Sequence, residues 1–200
     1  LFYEHSVSGS FYLEEGRVRT VSHGVSLGLG VRVQAGEATG YAYSQELDDA
    51  PMREAARTAS AIAASGQVVA PVSVTPAALG SHYPVAVPTL LASETERLDL
   101  LRRAAAAARA ADPAVTRVEV SLAEEVRHVL VATSDGTLAR DLQPLVRLYV
   151  RVVAEKDGRR QTGTAGGGGR YGMDFFAAST PEAFGREAAR VALAMMDARD

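Results

Sequence analysis

The chain of 200 residues contains no cysteine, which removes disulfides, thiolate nucleophiles and thiolate metal ligands together. That absence is compatible with a reducing cytoplasm. A basic surplus is missing too: 21 Lys and Arg stand against 24 Asp and Glu, for a net charge of −3. This is the wrong sign for affinity built on phosphate contacts, and it speaks against nucleic acid as a partner. No apolar run approaches the ~20 residues of a membrane span, and no charged-then-apolar leader follows Leu1. The Gly-x-Ser-x-Gly turn of serine hydrolases is absent, so nucleophilic hydrolysis has no support. Histidine occurs at His5, His23, His82 and His128. No two share the i, i+4 spacing that sets imidazoles on one helical face, and none opens a zincin pattern. Each reads as an ordinary strand or loop histidine. No catalytic residue and no metal ligand is assigned.

What is present is a globular composition, 47% hydrophobic and 22% charged, of a size suited to one domain or two small ones sharing a core. Its main feature is a motif written twice. Glu15-Gly16-Arg17-Val18 leads through Leu27, Leu29, Val31 and Val33 to a Gly36 turn and then Thr39-Gly40-Tyr41-Ala42. Asp135-Gly136-Thr137-Leu138 leads through Leu148, Val150 and Val152 to a Gly158 turn and then Thr162-Gly163-Thr164-Ala165. Both copies enter a helix carrying Arg-Glu-Ala-Ala-Arg, at Arg53–Arg57 and Arg186–Arg190. Three matches in one order read as duplication. The expected fold is α+β: duplicated β-meander-plus-helix units, with mainly antiparallel sheets packed against helices. The repeats cover about 1–66 and 94–200, joined by a proline-containing connector over 67–93.

Alternation supplies the strands. Leu27, Leu29, Val31 and Val33 share one face, with Gly28, Gly30 and Arg32 on the other; Leu148, Val150 and Val152 oppose Arg147, Tyr149 and Arg151. Further strands are expected at about Phe2–Val7, Phe11–Glu14, Val115–Leu122 and Arg127–Thr133. Glu15-Gly16, Asp135-Gly136 and Asp157-Gly158 signal hairpin turns. Ser93 with Glu96 forms a capping box for a helix from Glu94 to about Ala111, and Thr180-Pro181 opens another. The last helix is expected to bury Phe184, Ala188, Val191 and Met195. The helix after Pro51 is expected to bury Met52, Ala55, Ala59 and Ile62 and to stop near Ser65-Gly66. The second copy starts with a helix and the first with a strand. A matching helix upstream of Leu1 is therefore expected, and both chain ends read as cut.

The singular segment is Thr162-Gly163-Thr164-Ala165-Gly166-Gly167-Gly168-Gly169-Arg170-Tyr171-Gly172. Four glycines in a regular element cost about 0.5–1 kcal/mol each relative to alanine. Either the run is a disordered tether, or its bare backbone is wanted for close approach by another chain or ligand. Its position after a strand and before Arg170, Tyr171, Phe175 and Phe176 favours an ordered, contact-making edge. A Walker loop is excluded because no Lys-Ser/Thr follows. An anion site would rest on Arg170 alone. Arg147, Tyr149 and Arg151 read as a solvated outer face, and Tyr41 with Tyr43 as packing residues.

The strings Ala132–Leu138, Arg140-Asp141, Pro144–Leu148, Gly166–Gly172 and Phe175-Phe176 resemble the TldD/PmbA family, long described as modulators of DNA gyrase. Gly24–Arg32 and Thr39–Tyr43 match its first half. The likeness covers essentially the whole chain and is to the amino-terminal region of the family. It implies a cytoplasmic zinc metallopeptidase acting on unfolded or peptide-like substrates. It also implies a homodimer or pairing with a related TldE/PmbA-type subunit. The family's His-Glu-x-x-x-His motif and distant cysteine belong downstream of the matched region, and this sequence has neither. The resemblance thus implies an accessory, substrate-access and assembly domain, inactive alone. Zinc would be supplied by a carboxy-terminal catalytic domain of the same polypeptide, and Gly166, Gly167, Gly168, Gly169 and Arg170 would receive peptide backbone. The alternative is a non-enzymatic module that binds a related subunit or other protein.

Overall fold

The computed structural model describes residues 1–63, 73–77, 84–85 and 87–198. In chain order these form β1 (Phe2–Glu14), β2 (Arg17–Ala35), β3 (Ala38–Ser44), α1 (Asp49–Ile62), β4 (Thr75–Pro76), α2 (Glu94–Arg109), β5 (Val115–Ala132), β6 (Thr137–Lys156), β7 (Arg159–Gly169), α3 (Phe175–Ala178) and α4 (Pro181–Asp197). A 3-10 turn covers Thr89–Leu91. The class is α+β. Strands follow the order β3-β2-β1-β5-β6-β4, with β7 also paired to β6. The β2/β3 and β6/β7 pairs are antiparallel, while β4 runs parallel to β6 over two residues.

Hairpin chemistry explains the sharp reversals. Glu15 and Gly16 take φ of 50° and 73°, and Asp157 and Gly158 take 52° and 76°. Two successive positive φ values make the turn whose twist matches its flanking strands. The separately expected strands at Phe2–Val7 and Phe11–Glu14 are one strand, and so are those at Val115–Leu122 and Arg127–Thr133. Ser8-Gly9-Ser10 continues the strand because Gly9 lies against a buried carboxylate: a Cβ there would stand 2.8 Å from Glu124 Oε1. Thr133 belongs to the turn after β5, where Gly136 N–H donates to its carbonyl.

Two compact units share these elements. One comprises Leu1–Val7, Val25–His82 and Arg127–Gln143; the other comprises Ser8–Gly24, Tyr83–Val126 and Pro144–Asp200. In the first, α1 lies on β3 where Gly40 leaves room. A Cβ at Gly40 would fall 1.8 Å from the Ala59 carbonyl oxygen. This approach selects small residues, so Ala55, Ala59 and Ala63 are buried. Ile62, expected inside, is 58% exposed, and Met52 is half-buried. Ser65-Gly66 lies outside the described residues. On the other sheet face Tyr41 lies over Gly30, with its hydroxyl 2.6 Å from where a Cβ would sit. The rings of His5 and His128 stack with centroids 5.9 Å apart. His23 is exposed, and His82 lies outside the described residues.

The second unit holds the large core. Phe11 and Leu13 on β1, Val118, Val120 and Leu122 on β5, and Val146, Leu148, Val150 and Val152 on β6 meet the helices there. The helices contribute Leu101, Ala104 and Ala108 of α2 and Ala188, Ala189 and Ala192 of α4. The Ser93 hydroxyl accepts from Glu96 N–H while the Glu96 carboxylate accepts from Ser93 N–H, closing the capping box. The Thr180 hydroxyl caps α4 by accepting from Ala183 N–H. Arg103 donates two hydrogen bonds to Glu182, at 2.6 and 3.0 Å, and ties α2 to α4. Gly163 and Gly185 let α4 touch β7 and α2 through backbone: added Cβ atoms would lie 2.1 Å from Ala188 O and 2.2 Å from Ala104 O. The buried stripe of α4 is accordingly Gly185, Ala188, Ala189, Ala192 and Met196. Phe184 and Val191 are half-buried. Met195, expected inside, is 48% exposed.

Candidate functional site: the unpaired edge of the glycine strand

The glycine run is the last stretch of β7. It pairs with β6 in the register Arg151↔Thr164, Tyr149↔Gly166, Leu148↔Gly167, Arg147↔Gly168 and Val146↔Gly169. Directly opposed residues share a face, so Gly167 and Gly169 face the core with Leu148 and Val146. Gly166 and Gly168 share the outer face with Tyr149 and Arg147. Among the described residues no strand pairs with the second edge of β7.

Packing accounts for the conformational cost of the run. Cβ atoms at Gly166 and Gly168 would stand 2.4 Å from Leu148 O and 2.0 Å from Val146 O, too close for any side chain. At Gly167 the Phe184 ring takes the space, 2.8 Å from an added Cβ. Gly169, with φ of 155°, leads into Tyr171. The segment beyond is pinned: Tyr171 stacks on Phe175 at 5.1 Å, Phe175 stacks on Phe184 at 6.3 Å, and Met173 N–H donates to Val87 O at 3.2 Å. An ordered edge, rather than a tether, is what the structure contains.

A shallow cavity of about 430 Å³ opens on this edge, lined by Leu145, Val146, Arg147, Tyr149 and the stretch from Thr164 to Gly169. Arg170 follows the strand and is half-buried; the guanidinium that lines the cavity belongs to Arg147. That group lies over the Tyr149 ring, 5.6 Å from its centroid. Two positions on, Arg151 is paired to Glu119 at 3.5 Å. Among the described residues no carboxylate lines the cavity. The outer-face reading of Arg147 and Tyr149 therefore holds in orientation but understates their position beside the glycine strip.

One polar group escaped the sequence reading. Glu124, 3% exposed, pairs with Arg97 of α2, whose guanidinium also lies 4.9 Å from the centre of the Phe11 ring. Glu124 Oε2 and Arg97 Nε lack hydrogen-bond partners. Glu124 falls in the inward phase set by Val118, Val120 and Leu122, and an acidic residue in that phase was the available signal. Among the described residues no three His, Cys, Asp or Glu side chains gather where they could hold a metal ion. With cysteine absent from the sequence, the donors present do not fit a zinc centre. No described helix is long and apolar enough to cross a membrane.

Residues 88–196 match the PmbA/TldA metallopeptidase central domain and residues 1–63 match PmbA/TldA metallopeptidase domain 1. The chain belongs to the PmbA/TldD family. Within it, the chain is 34% identical to the metalloprotease TldD homologue of Haemophilus influenzae over 88% of its own length and 37% of the relative's. It is 28% identical to that of Buchnera aphidicola from Acyrthosiphon pisum, over 100% and 43%. The chain thus spans about two-fifths of the curated relatives it matches. Crystal structures of two proteins illustrate the shared fold. One is a Thermotoga maritima protein described as a candidate modulator of a DNA gyrase (TM-score 0.73, 17% identity, 96% of this chain and 43% of that one). The other is TldE from Thermococcus kodakarensis (TM-score 0.59, 17% identity, 94% and 44%).

Proposed function

We propose that this chain is the substrate-access and assembly part of a TldD-like zinc metallopeptidase acting on unfolded or peptide-like substrates, and that it is inactive alone. Extended peptide backbone is received along β7 at Gly166–Gly169, with Arg170 at the end of the strip. The observation that carries this reading is the second edge of β7, which no described strand covers. Such an edge offers N–H and C=O groups that pair with any extended chain, so recognition depends on conformation more than on side chains. The catalytic metal, its ligands and the cytoplasmic setting belong to the proposal through the family. The residues of this chain bind and orient backbone; no proton or metal step is assigned to them.

Because Gly166 and Gly168 cannot take a side chain, the test alters the ligand. Full-length protein should bind an end-capped extended peptide, read by fluorescence anisotropy, and should protect the amides of the Thr164–Gly169 stretch from exchange. The same peptide N-methylated at consecutive central amides, so that neither of its edges keeps the N–H donors, should bind far more weakly. Equal binding of both peptides would refute the edge mechanism.

A second reading, a module that binds a related subunit, finds support in β2. Every residue from Arg17 to Gly24 is exposed, and β3 pairs with β2 only from Leu29 to Ala35. Among the described residues no strand covers the β3-side edge of β2 over residues 17–24, a template for another chain. Light scattering with a candidate partner, alongside peptide cleavage and zinc content, separates the two readings. A partner-binding, metal-free and inactive full-length protein would favour the module.

A further inference from the structure

The edge explains how backbone is held but not which side chains are welcome. A peptide laid against β7 occupies the next strand position, about 4.8 Å further out, and so lies about 10 Å from β6. In an ordinary sheet the side chains of the intervening strand fill that gap. Here the outer-face positions of β7 opposite Arg147 and Tyr149 are Gly168 and Gly166. They carry nothing, and the cavity of about 430 Å³ marks the space left. A long outward side chain on the peptide can therefore cross the glycine strip and meet groups on β6.

What it meets is a cation. Among the described residues Arg147 makes no ion pair; its guanidinium rests on the Tyr149 ring. Arg151, by contrast, is neutralised by Glu119, which also pairs with Arg117 at 2.8 Å. Arg147 thus stands beside a bare strip with no carboxylate among the described residues of the cavity lining, and its planar fork suits a carboxylate. We propose that Arg147 is a specificity-determining residue that favours extended peptides presenting an acidic side chain on the outer face at the glycine strip. This rests on the edge reading above and narrows it from any unfolded chain to those bearing a suitably placed Asp or Glu.

The test uses full-length protein and three soluble, end-capped ten-residue peptides differing only in a central Glu, Gln or Lys. Anisotropy should rank them Glu over Gln over Lys, with Glu favoured about fivefold, the scale of a partly exposed ion pair. Raising ionic strength to about 0.5 M should shrink the preference. Arg147→Gln should abolish it, Arg147→Lys should keep the order with a smaller factor, and Arg147→Glu should place Lys first. Arg147 is exposed, so these variants should melt as wild type does, which circular dichroism checks. Equal affinity for the three peptides, or a Glu preference that survives in Arg147→Gln, overturns the assignment while leaving the edge intact. Failure of all three to bind overturns the edge reading, and the preference with it.

Discussion

The two compact units use one device with different depths of support. In one, Gly40 lets α1 settle on β3 through Ala55, Ala59 and Ala63. In the other, Gly163 lets α4 settle on β7 through Ala188 and Ala192. Both pairs approach closer than a methyl group allows. Beneath α4, however, lies a core shared with α2, β1, β5 and β6, whereas among the described residues the buried apolar side chains of the first unit are Leu29, Ala55, Ala59 and Ala63. The repeated motif therefore specifies the helix-on-strand joint, and the surrounding residues specify how much stability stands behind it.

Leucine truncation should separate the units most strongly. Leu148→Ala empties a fully buried site and should cost about 2–5 kcal/mol in urea unfolding. Leu29→Ala, at a site 6% exposed, should fall near the lower end of that range. Equal losses would mean that the first unit is packed as tightly as the second. Next come the glycine joints. Gly163→Ala and Gly40→Ala both drive a methyl into helix backbone, a strain of about 1–3 kcal/mol or more. The first should lower the unfolding midpoint of the second unit; the second should free the amides of α1 to exchange while α4 stays protected. If both variants exposed both helices alike, the independence of the joints would be lost.

The caps give the smallest contrast. Ser93→Ala removes a hydroxyl that α2 uses and should cost about 1 kcal/mol. Asp48→Ala should change little, because the Asp48 side chain makes no capping hydrogen bond to α1. The box at α2 is also acid-sensitive. Hydrogen bonds from the Ser93 hydroxyl and then the Ser93 N–H hold the Glu96 carboxyl below its ordinary value. Its contribution is therefore full above the ordinary glutamate pKa and fades as pH falls through the lowered one. The difference in stability between wild type and Ser93→Ala should accordingly narrow on acidification below about pH 4. A difference that widened would contradict the capping box.

Much of this was legible in order. The Ser93–Glu96 box, the Thr180-Pro181 start and the Asp157-Gly158 reversal are local contracts between neighbours in the chain, and the structure honours each. Hydrophobic stripes were read less well. Ile62 and Met195 belong to the apolar period of their helices, yet both are exposed, because Gly40, Gly163 and Gly185 bring backbone so close that alanines take the interface. The continuity of β1 through Ser8-Gly9-Ser10 was hidden for a related reason: Gly9 fits beneath Glu124, a residue more than a hundred positions away. At the candidate site, the run Gly166–Gly169 was visible as a string. Its partner Arg147 was visible only as one charge among several.

The order of residues by itself determined the α+β class, the turns, the helix starts and the family, since each rests on neighbours or on short motifs. The tertiary structure alone decided which glycines are spaces for backbone, which apolar side chains remain outside, and which arginine, among the described residues, has no ion-pair partner beside the uncovered edge of β7. The physical reason is reach. Capping and hairpin geometry act over a few residues, whereas close approach and charge pairing depend on atoms that only folding brings together.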